Sequence, residues 1–289
     1  MAKPEIDPTQ AASASLNRRV FVGLSAAATV SASAPIASAQ ETSLGRSHPP
    51  LVAEDDPAIT VQHVELSRPD AVVPAYAAWP VGAASGTPSV VVTMHVWGVD
   101  TSIRDVVRRF AKAGFAAIAP NLYARMDAPS GDGATDFTIF RPYAQKLVRS
   151  VYGGDIRAAA NWLAEKFPGT KIGITGFCMG GRIVLLSAID NGDVFAAACP
   201  FYGPLADVDP TKIHIPVCGH YGARDTGIPA ESVRAFAAAL TVPNEFKIYD
   251  NAGHAFFDDQ RPSYVASAAA DAWKGTIAFF ERYLGQPKS

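Results

Sequence analysis

From residue 59 onward, apolar positions recur in two alternating rhythms. Residues 59–66 (ITVQHVEL) and 73–79 (VPAYAAW) carry the short period of an opening antiparallel strand pair. Residues 89–95 (SVVVTMH) form a continuous apolar run, as a strand covered on both faces does. In residues 101–113 the spacing changes. Ile103, Val106, Val107 and Phe110 fall on one helical face, and Gly114 ends the helix. Residues 115–120 (FAAIAP) predict the next strand, followed by an Asp-, Gly- and Pro-rich loop over 121–136. Residues 141–167 have helical character, with a break expected near Gly153 and Gly154. Then come a strand at 171–177, a helix at 180–189, and strands at 194–201 and 213–221. A helix at 229–240 opens on Pro229, a strand spans 245–249, and a long helix spans 263–284.

Strands alternating with helices predict an α/β domain. Its central sheet should be mostly parallel, of about eight strands, with helices on both faces. No internal repeat interrupts the pattern. In such sheets ligands bind beyond the carboxyl ends of the strands, so candidate chemistry is sought there.

The first forty residues follow neither rhythm. Arg18 and Arg19 precede a mildly apolar stretch rich in Ala, Val and Ser, which closes on Ala37-Ser38-Ala39. This layout predicts a twin-arginine (Tat) signal over 1–39 and engagement of the Tat export machinery, with a periplasmic or secreted mature chain. A retained anchor is the other reading, although Ser and Ala dilute the stretch as a membrane span. Residues 40–58 read as a linker and 59–289 as the folded domain.

Composition narrows the function classes. The 289 residues are 48% hydrophobic and 18% charged, with net charge −2, which is ordinary for a globular chain. No basic run marks a nucleic-acid partner, and no long apolar run marks a multi-span membrane protein. Three cysteines do not make a disulfide scaffold. Cys199 and Cys218 lie in apolar strand-like runs and read as small buried hydrophobes, a disulfide between them being the lesser alternative.

The third cysteine stands differently. Residues 171–187 read KIGITGFCMGGRIVLLS, a strand, then Gly176-Phe177-Cys178-Met179-Gly180, then a helix. A nucleophile on a sharp strand-to-helix turn needs small flanking residues, and the helix N-terminus favours the thiolate. Cys178 is therefore a candidate nucleophile, with the Met179 amide as an oxyanion donor. On this architecture the acid and the base follow in that order. Asp225, in YGARDTGIP, sits after a predicted strand, and His254, in YDNAGHAFF, sits in a loop after the next. The loop after residues 89–95 offers the Val96 amide as a second oxyanion donor. The alternative readings are a buried structural Cys, a helix-capping Asp and a surface His.

With these motifs in place the chain resembles the dienelactone hydrolase family, Cys-His-Asp members of the α/β-hydrolase fold. The resemblance is carried by HVWGVD (95–100), GFAAIAPNLYAR (114–125), GFCMGGR (176–182), YGARDTGIP (221–229), AGHAFF (252–257) and YVASAAADAW (264–273). It implies a carboxylic ester hydrolase that opens a lactone through a thioester acyl-enzyme. Cys178 would be nucleophile, His254 base and Asp225 its orienting acid, with Val96 and Met179 amides holding the oxyanion.

Two positions depart from the family pattern. A family glutamate is replaced by His95, which either promotes a resting thiolate or turns aside to a loop carbonyl. Of two family arginines that hold a substrate carboxylate, one falls at Arg141, which also reads as a solvated helix-start arginine. The other position holds Asp258, which would repel an anion. Neutral lactones or small esters are therefore the expected small-molecule substrates. No cofactor is expected. The six histidines lack a helical zinc spacing, so no metal is expected, and no dinucleotide fingerprint follows the first buried strand. The reading from a different class is a non-catalytic small-molecule-binding protein on the same scaffold.

Overall fold

A computed structural model of the protein describes residues 45–287. The predicted signal segment, residues 1–39, lies outside the described residues. Eight strands form one sheet: β1 (Ile59–Ser67), β2 (Val72–Pro80), β3 (Ser89–Thr93), β4 (Ala116–Pro120), β5 (Ile172–Phe177), β6 (Phe195–Phe201), β7 (Val217–Gly222) and β8 (Asn244–Tyr249). Their spatial order is β1-β2-β4-β3-β5-β6-β7-β8. The β1–β2 and β2–β4 pairs are antiparallel, and all later pairs are parallel.

The pattern of burial follows the pairing. Strands β3, β4, β5 and β7 are buried at every residue, as helical cover on both faces requires. The opening strand β1 alternates more openly because it lies at the edge. The helices are α1 (Thr101–Lys112), α2 (Arg141–Gln145), α3 (Arg149–Lys166), α4 (Met179–Asp190), α5 (Ala230–Ala239) and α6 (Ala266–Leu284). Asp100 caps α1, accepting from Ile103 N at 3.1 Å. An aromatic cluster locks α1 and α6 to the sheet. Phe110 lies 4.7 Å from Trp273 and 6.0 Å from Phe280 between ring centroids. A methyl group on Gly173 of β5 would come within 2.7 Å of the Phe280 ring, so the strand is bare there to admit it.

Three expected boundaries differ. The strand predicted over 89–95 ends at Thr93, and His95 instead forms an isolated bridge with Gly98 across a turn. The strand predicted over 213–221 begins at Val217, directly after Pro216, which cannot donate to a ladder. The helical stretch 141–167 breaks at residues 146–148, and α3 runs unbroken through Gly153 and Gly154. Here the glycine answers to packing. A Cβ on Gly154 would lie 1.9 Å from the Arg68 guanidinium, which reaches past it to buried Asp155 at 3.0 Å.

Phe280 is fully buried within the aromatic cluster. Phe280→Ala should destabilise the fold by about 3–5 kcal/mol. Denaturant unfolding measures this as a lowered midpoint with an unchanged slope.

Candidate active site

The carboxyl ends of β3, β5, β6 and β7, with the loop after β8, converge on a cavity of about 320 Å³. Cys178, His95, Val96, Tyr202, His254 and Asp258 are among its lining residues. Cys178 caps α4 with φ 55° and ψ −117°, a left-handed conformation for a residue that carries a side chain. The turn is held from below. Cys178 N donates to Phe201 O at 3.1 Å. Thr93 Oγ1 lies 2.9 Å from Gly180 O. A Cβ on Gly180 would approach Thr93 O within 2.5 Å, and one on Gly176 would approach Thr93 Oγ1 within 1.8 Å. Both flanking glycines are therefore required by contact with β3.

His254 bridges the other two candidates. Its Nδ1 lies 2.7 Å from Asp225 Oδ2, and its ring lines the same cavity as the Cys178 thiol. Asp225 Oδ1 accepts from Gly227 N at 2.9 Å and Ile228 N at 3.2 Å, which fixes the carboxylate. Its capping contacts and its contact with His254 therefore coexist on different oxygens. Burial opposes the charge of Asp225, but the His254 bond and the two amides hold its carboxyl below the usual range. Burial also opposes a charged His254, yet the hydrogen bonds to Asp225 and Cys178 raise it to about 10. For Cys178 burial pushes upward, and the bond to His254, the Met179 amide and His95 together bring the thiol below its ordinary value. Both shifts run in the direction of a thiolate beside an imidazolium.

Val96 lies in the turn closed by Gly98 N donating to His95 O at 3.1 Å. Among the described residues no protein acceptor takes the Val96 N–H. Its carbonyl accepts from Tyr123 Oη at 2.9 Å, which pins the turn against the NLYAR segment. Arg125 of the same segment bonds Asp155 at 2.7 Å and so ties that loop to α3.

His95 does not turn to a loop carbonyl. Its Nε2 lies 2.8 Å from Asp100 Oδ1 and its Nδ1 lies 3.7 Å from Asp258 Oδ2. Burial opposes its charge, and the two carboxylates outweigh burial, so its pKa is raised.

Two expectations are corrected. Arg141 stands exposed at the start of α2 and does not line the cavity, because its helix presents that position to solvent. Asp258 does line it, but not as a free anion. Its Oδ1 accepts from Ser102 Oγ at 3.0 Å, and its Oδ2 faces His95 and Arg261 Nε, the latter at 3.5 Å. Its charge is spent on these groups, so the expected repulsion of an anion is largely cancelled.

Arg261 was not among the sequence candidates. Its guanidinium stacks 4.0 Å over the Trp97 ring, and it also faces Asp100 at 3.6 Å. Tyr202 was missed as well. It adopts φ 37° and places its ring 5.2 Å from that of His254. The one available signal was proximity in sequence, since Arg261 follows His254 by seven residues and Tyr202 follows β6 directly.

Comparison with known proteins agrees with this geometry. The model of the dienelactone hydrolase family matches residues 73–284. A protein of Escherichia coli (strain K12) named "Putative carboxymethylenebutenolidase" is 36% identical over 251 residues, covering 82% of this chain and 92% of its own. The crystal structure of a "Putative Dienelactone Hydrolase" from Klebsiella pneumoniae superposes with TM-score 0.72 at 33% identity, over 78% of this chain and 100% of that one. A dienelactone hydrolase from Anabaena variabilis, 16% identical over 78% of this chain and 99% of its own, shares the fold with TM-score 0.60. The α/β-hydrolase sheet and the family match over most of the chain place this protein in the dienelactone hydrolase family, among the hydrolases.

Proposed function

We propose that the protein hydrolyses a small uncharged lactone or carboxylic ester through a Cys178–His254–Asp225 triad. The observation that carries this is the 2.7 Å contact of Asp225 with a His254 that shares one cavity with a cysteine held on a strained turn. In the first step the Cys178 thiolate attacks the carbonyl carbon, and the carbonyl electron pair moves to oxygen. The amides of Met179 and Val96 receive that oxyanion. Collapse expels the alcohol oxygen, which takes the proton from His254, and leaves a thioester. His254, now neutral, removes a proton from water as the water oxygen attacks the thioester. The second tetrahedral species collapses to the carboxylic acid and the Cys178 thiolate, with His254 again protonated. Asp225 holds Nδ1 and stabilises the imidazolium without taking its proton.

The preference for uncharged substrates has a different basis from the sequence argument. Apart from His254, the basic side chains lining the cavity, His95 and Arg261, already face Asp100 and Asp258. A substrate carboxylate would have to compete for them. Trp97, Phe137 and Ala255 supply apolar contact area for a small acyl group.

Export belongs to the same reading. It is supported by the paired Arg18 and Arg19 and by Ala37-Ser38-Ala39. Among the described residues no helix is long and apolar enough to cross a membrane.

Turnover of p-nitrophenyl acetate and of an anionic dienelactone should be compared in wild type and Cys178→Ala. The ester should be the better substrate, and both activities should vanish in the variant. Turnover that survives Cys178→Ala would overturn the triad. A Cys178 unreactive to iodoacetamide, with no turnover, would leave a binding protein on a hydrolase scaffold.

The pH dependence of alkylation tests the electrostatics. A thiol whose pKa is depressed stays reactive as pH falls until its own lowered pKa is passed. Alkylation of Cys178 should therefore have a midpoint below the ordinary thiol value of about 8.5. His254→Ala should move the midpoint up, and His95→Gln should move it up by less, since His254 is the stronger influence. A midpoint unchanged in both variants would refute the ion-pair assignment.

For the leader, the full chain carrying both Arg18→Lys and Arg19→Lys should accumulate in the cytoplasm, while wild type reaches the periplasm. Equal fractionation of the two would rule out the twin-arginine route.

A further inference from the structure

On the sheet's other working surface, beneath α6, lies a second cluster that the proposed hydrolysis does not use. Cys199 of β6 and Cys218 of β7 are lateral neighbours, because Ala198 pairs with Val217 in the parallel ladder. His220 stands two residues after Cys218 and so projects from the same face. One ligand atom from each of the three lies within 4.8 Å of the other two. Cys218 Sγ is 3.5 Å from His220 Nε2. Thr276 Oγ1, from α6, closes the group at 3.1 Å from His220 Nε2 and 3.3 Å from Cys199 Sγ. All three side chains are buried, and both cysteines are free thiols.

The histidine is oriented from behind. Tyr249 Oη donates its only proton to Asp271 Oδ2 at 2.9 Å, so its oxygen is left to accept from His220 Nδ1–H at 3.2 Å. Lys247 Nζ lies 2.6 Å from the same carboxylate and keeps it ionised. This relay favours a proton on Nδ1. In that tautomer Nε2 turns its lone pair toward the two sulfurs and toward Thr276 Oγ1, whose own proton goes to Ala272 O at 2.9 Å, so the donor atoms face one another. An imidazole held by a hydrogen bond at one nitrogen, with the other directed at paired thiols, is how metal-ligating histidines are oriented; here Tyr249 makes that bond and Asp271 holds Tyr249.

We propose that Cys199, Cys218 and His220 form a binding site for a thiophilic metal ion, Zn²⁺ being the divalent case, separate from the hydrolytic centre. Binding displaces one proton from each thiol to solvent and forms two metal–sulfur bonds and one metal–nitrogen bond. Two thiolates and a neutral imidazole around a divalent ion give a site of zero net charge. Burial therefore carries little of the penalty that an isolated ion would meet. Entry is provided by an open cleft of about 460 Å³, which Cys218 and His220 line. Water from that cleft, or the Thr276 hydroxyl, completes a tetrahedron. The histidine spacings along the chain could not reveal the site, because two neighbouring strands supply the ligands.

The test uses the full chain carrying Cys178→Ala, reduced and kept anaerobic, so that the elbow thiol contributes nothing. Titration with Co²⁺ should give thiolate-to-cobalt charge-transfer absorption and strong tetrahedral d–d bands that saturate at one equivalent. One equivalent of Zn²⁺ should bleach them. The bands should be lost when Cys218→Ser or His220→Gln is added, with the far-ultraviolet circular dichroism unchanged. Absence of charge-transfer absorption in the folded Cys178→Ala protein would overturn the proposal without any further variant. Persistence of the bands in Cys218→Ser would overturn it equally. Because the readout is spectroscopic and lacks the elbow thiol, it stands apart from whether the protein hydrolyses esters.

Discussion

The backbone at Cys178 is the constraint around which the site is organised. A side-chain-bearing residue at φ 55° and ψ −117° costs on the order of 1–3 kcal/mol. That strain persists because neighbouring strands over-determine the turn. Phe201 O of β6 takes the Cys178 amide on one side, and Thr93 of β3 grips Gly180 on the other. The arrangement lifts the sulfur clear of the sheet and aims the first amides of α4 at it. A thiol in the plane of the ladder would have neither the approach nor the field. Thus β3, β6 and the two glycines act on reactivity without touching substrate.

Charge balance around the cavity forms the second layer. His95, Asp100, Asp258 and Arg261 link two segments far apart in sequence, the loop between β3 and α1 and the loop after His254. Two cations and two carboxylates meet within it, all largely buried, and each carboxylate contacts both cations. In such a cluster removing one member leaves an uncompensated buried charge, so the four hold together as a unit. Against burial, His254 and, more weakly, His95 lower the Cys178 thiol. The neutral cluster also explains why a carboxylate at position 258 does not make the cavity anionic.

How much of this was legible in the sequence depended on how local each determinant is. The elbow, the strand-end Asp225 and the loop His254 could be read because strand, turn and helix signals lie within a few residues of each. The number of strands and the antiparallel opening followed from periodicity for the same reason. Of the two readings open for Arg141, the solvated helix-start arginine is the one the structure shows, and the substrate-holding one falls because α2 turns it to solvent. Asp258 was misjudged because its partners Ser102 and His95 come from a distant segment. Gly154 read as a helix breaker, yet the helix continues, since the close approach of Arg68 to Asp155 outweighs the local propensity cost of about 1 kcal/mol. In each case tertiary partners decided what the residue type alone left open.

The three cysteines carry this point furthest. Composition treats them alike, and two of them looked like small hydrophobes in apolar strands. Cys178 gains its chemistry from a left-handed turn at a helix N-terminus, exposed to the cavity. Cys199 and Cys218 lie within the ladder, where lateral pairing sets their sulfurs side by side and a tyrosine-backed imidazole closes the third corner. The turn favours attack on a carbon, because a single sulfur faces open space. The ladder favours shared coordination, because paired sulfurs face one another and a nitrogen. Strand geometry thus separates two thiol chemistries in one sheet. The connection between them is physical: Tyr202 N donates to His220 O at 2.8 Å, while the Tyr202 ring packs against His254. Tyr202 thus touches both the strand that carries His220 and the imidazole of His254.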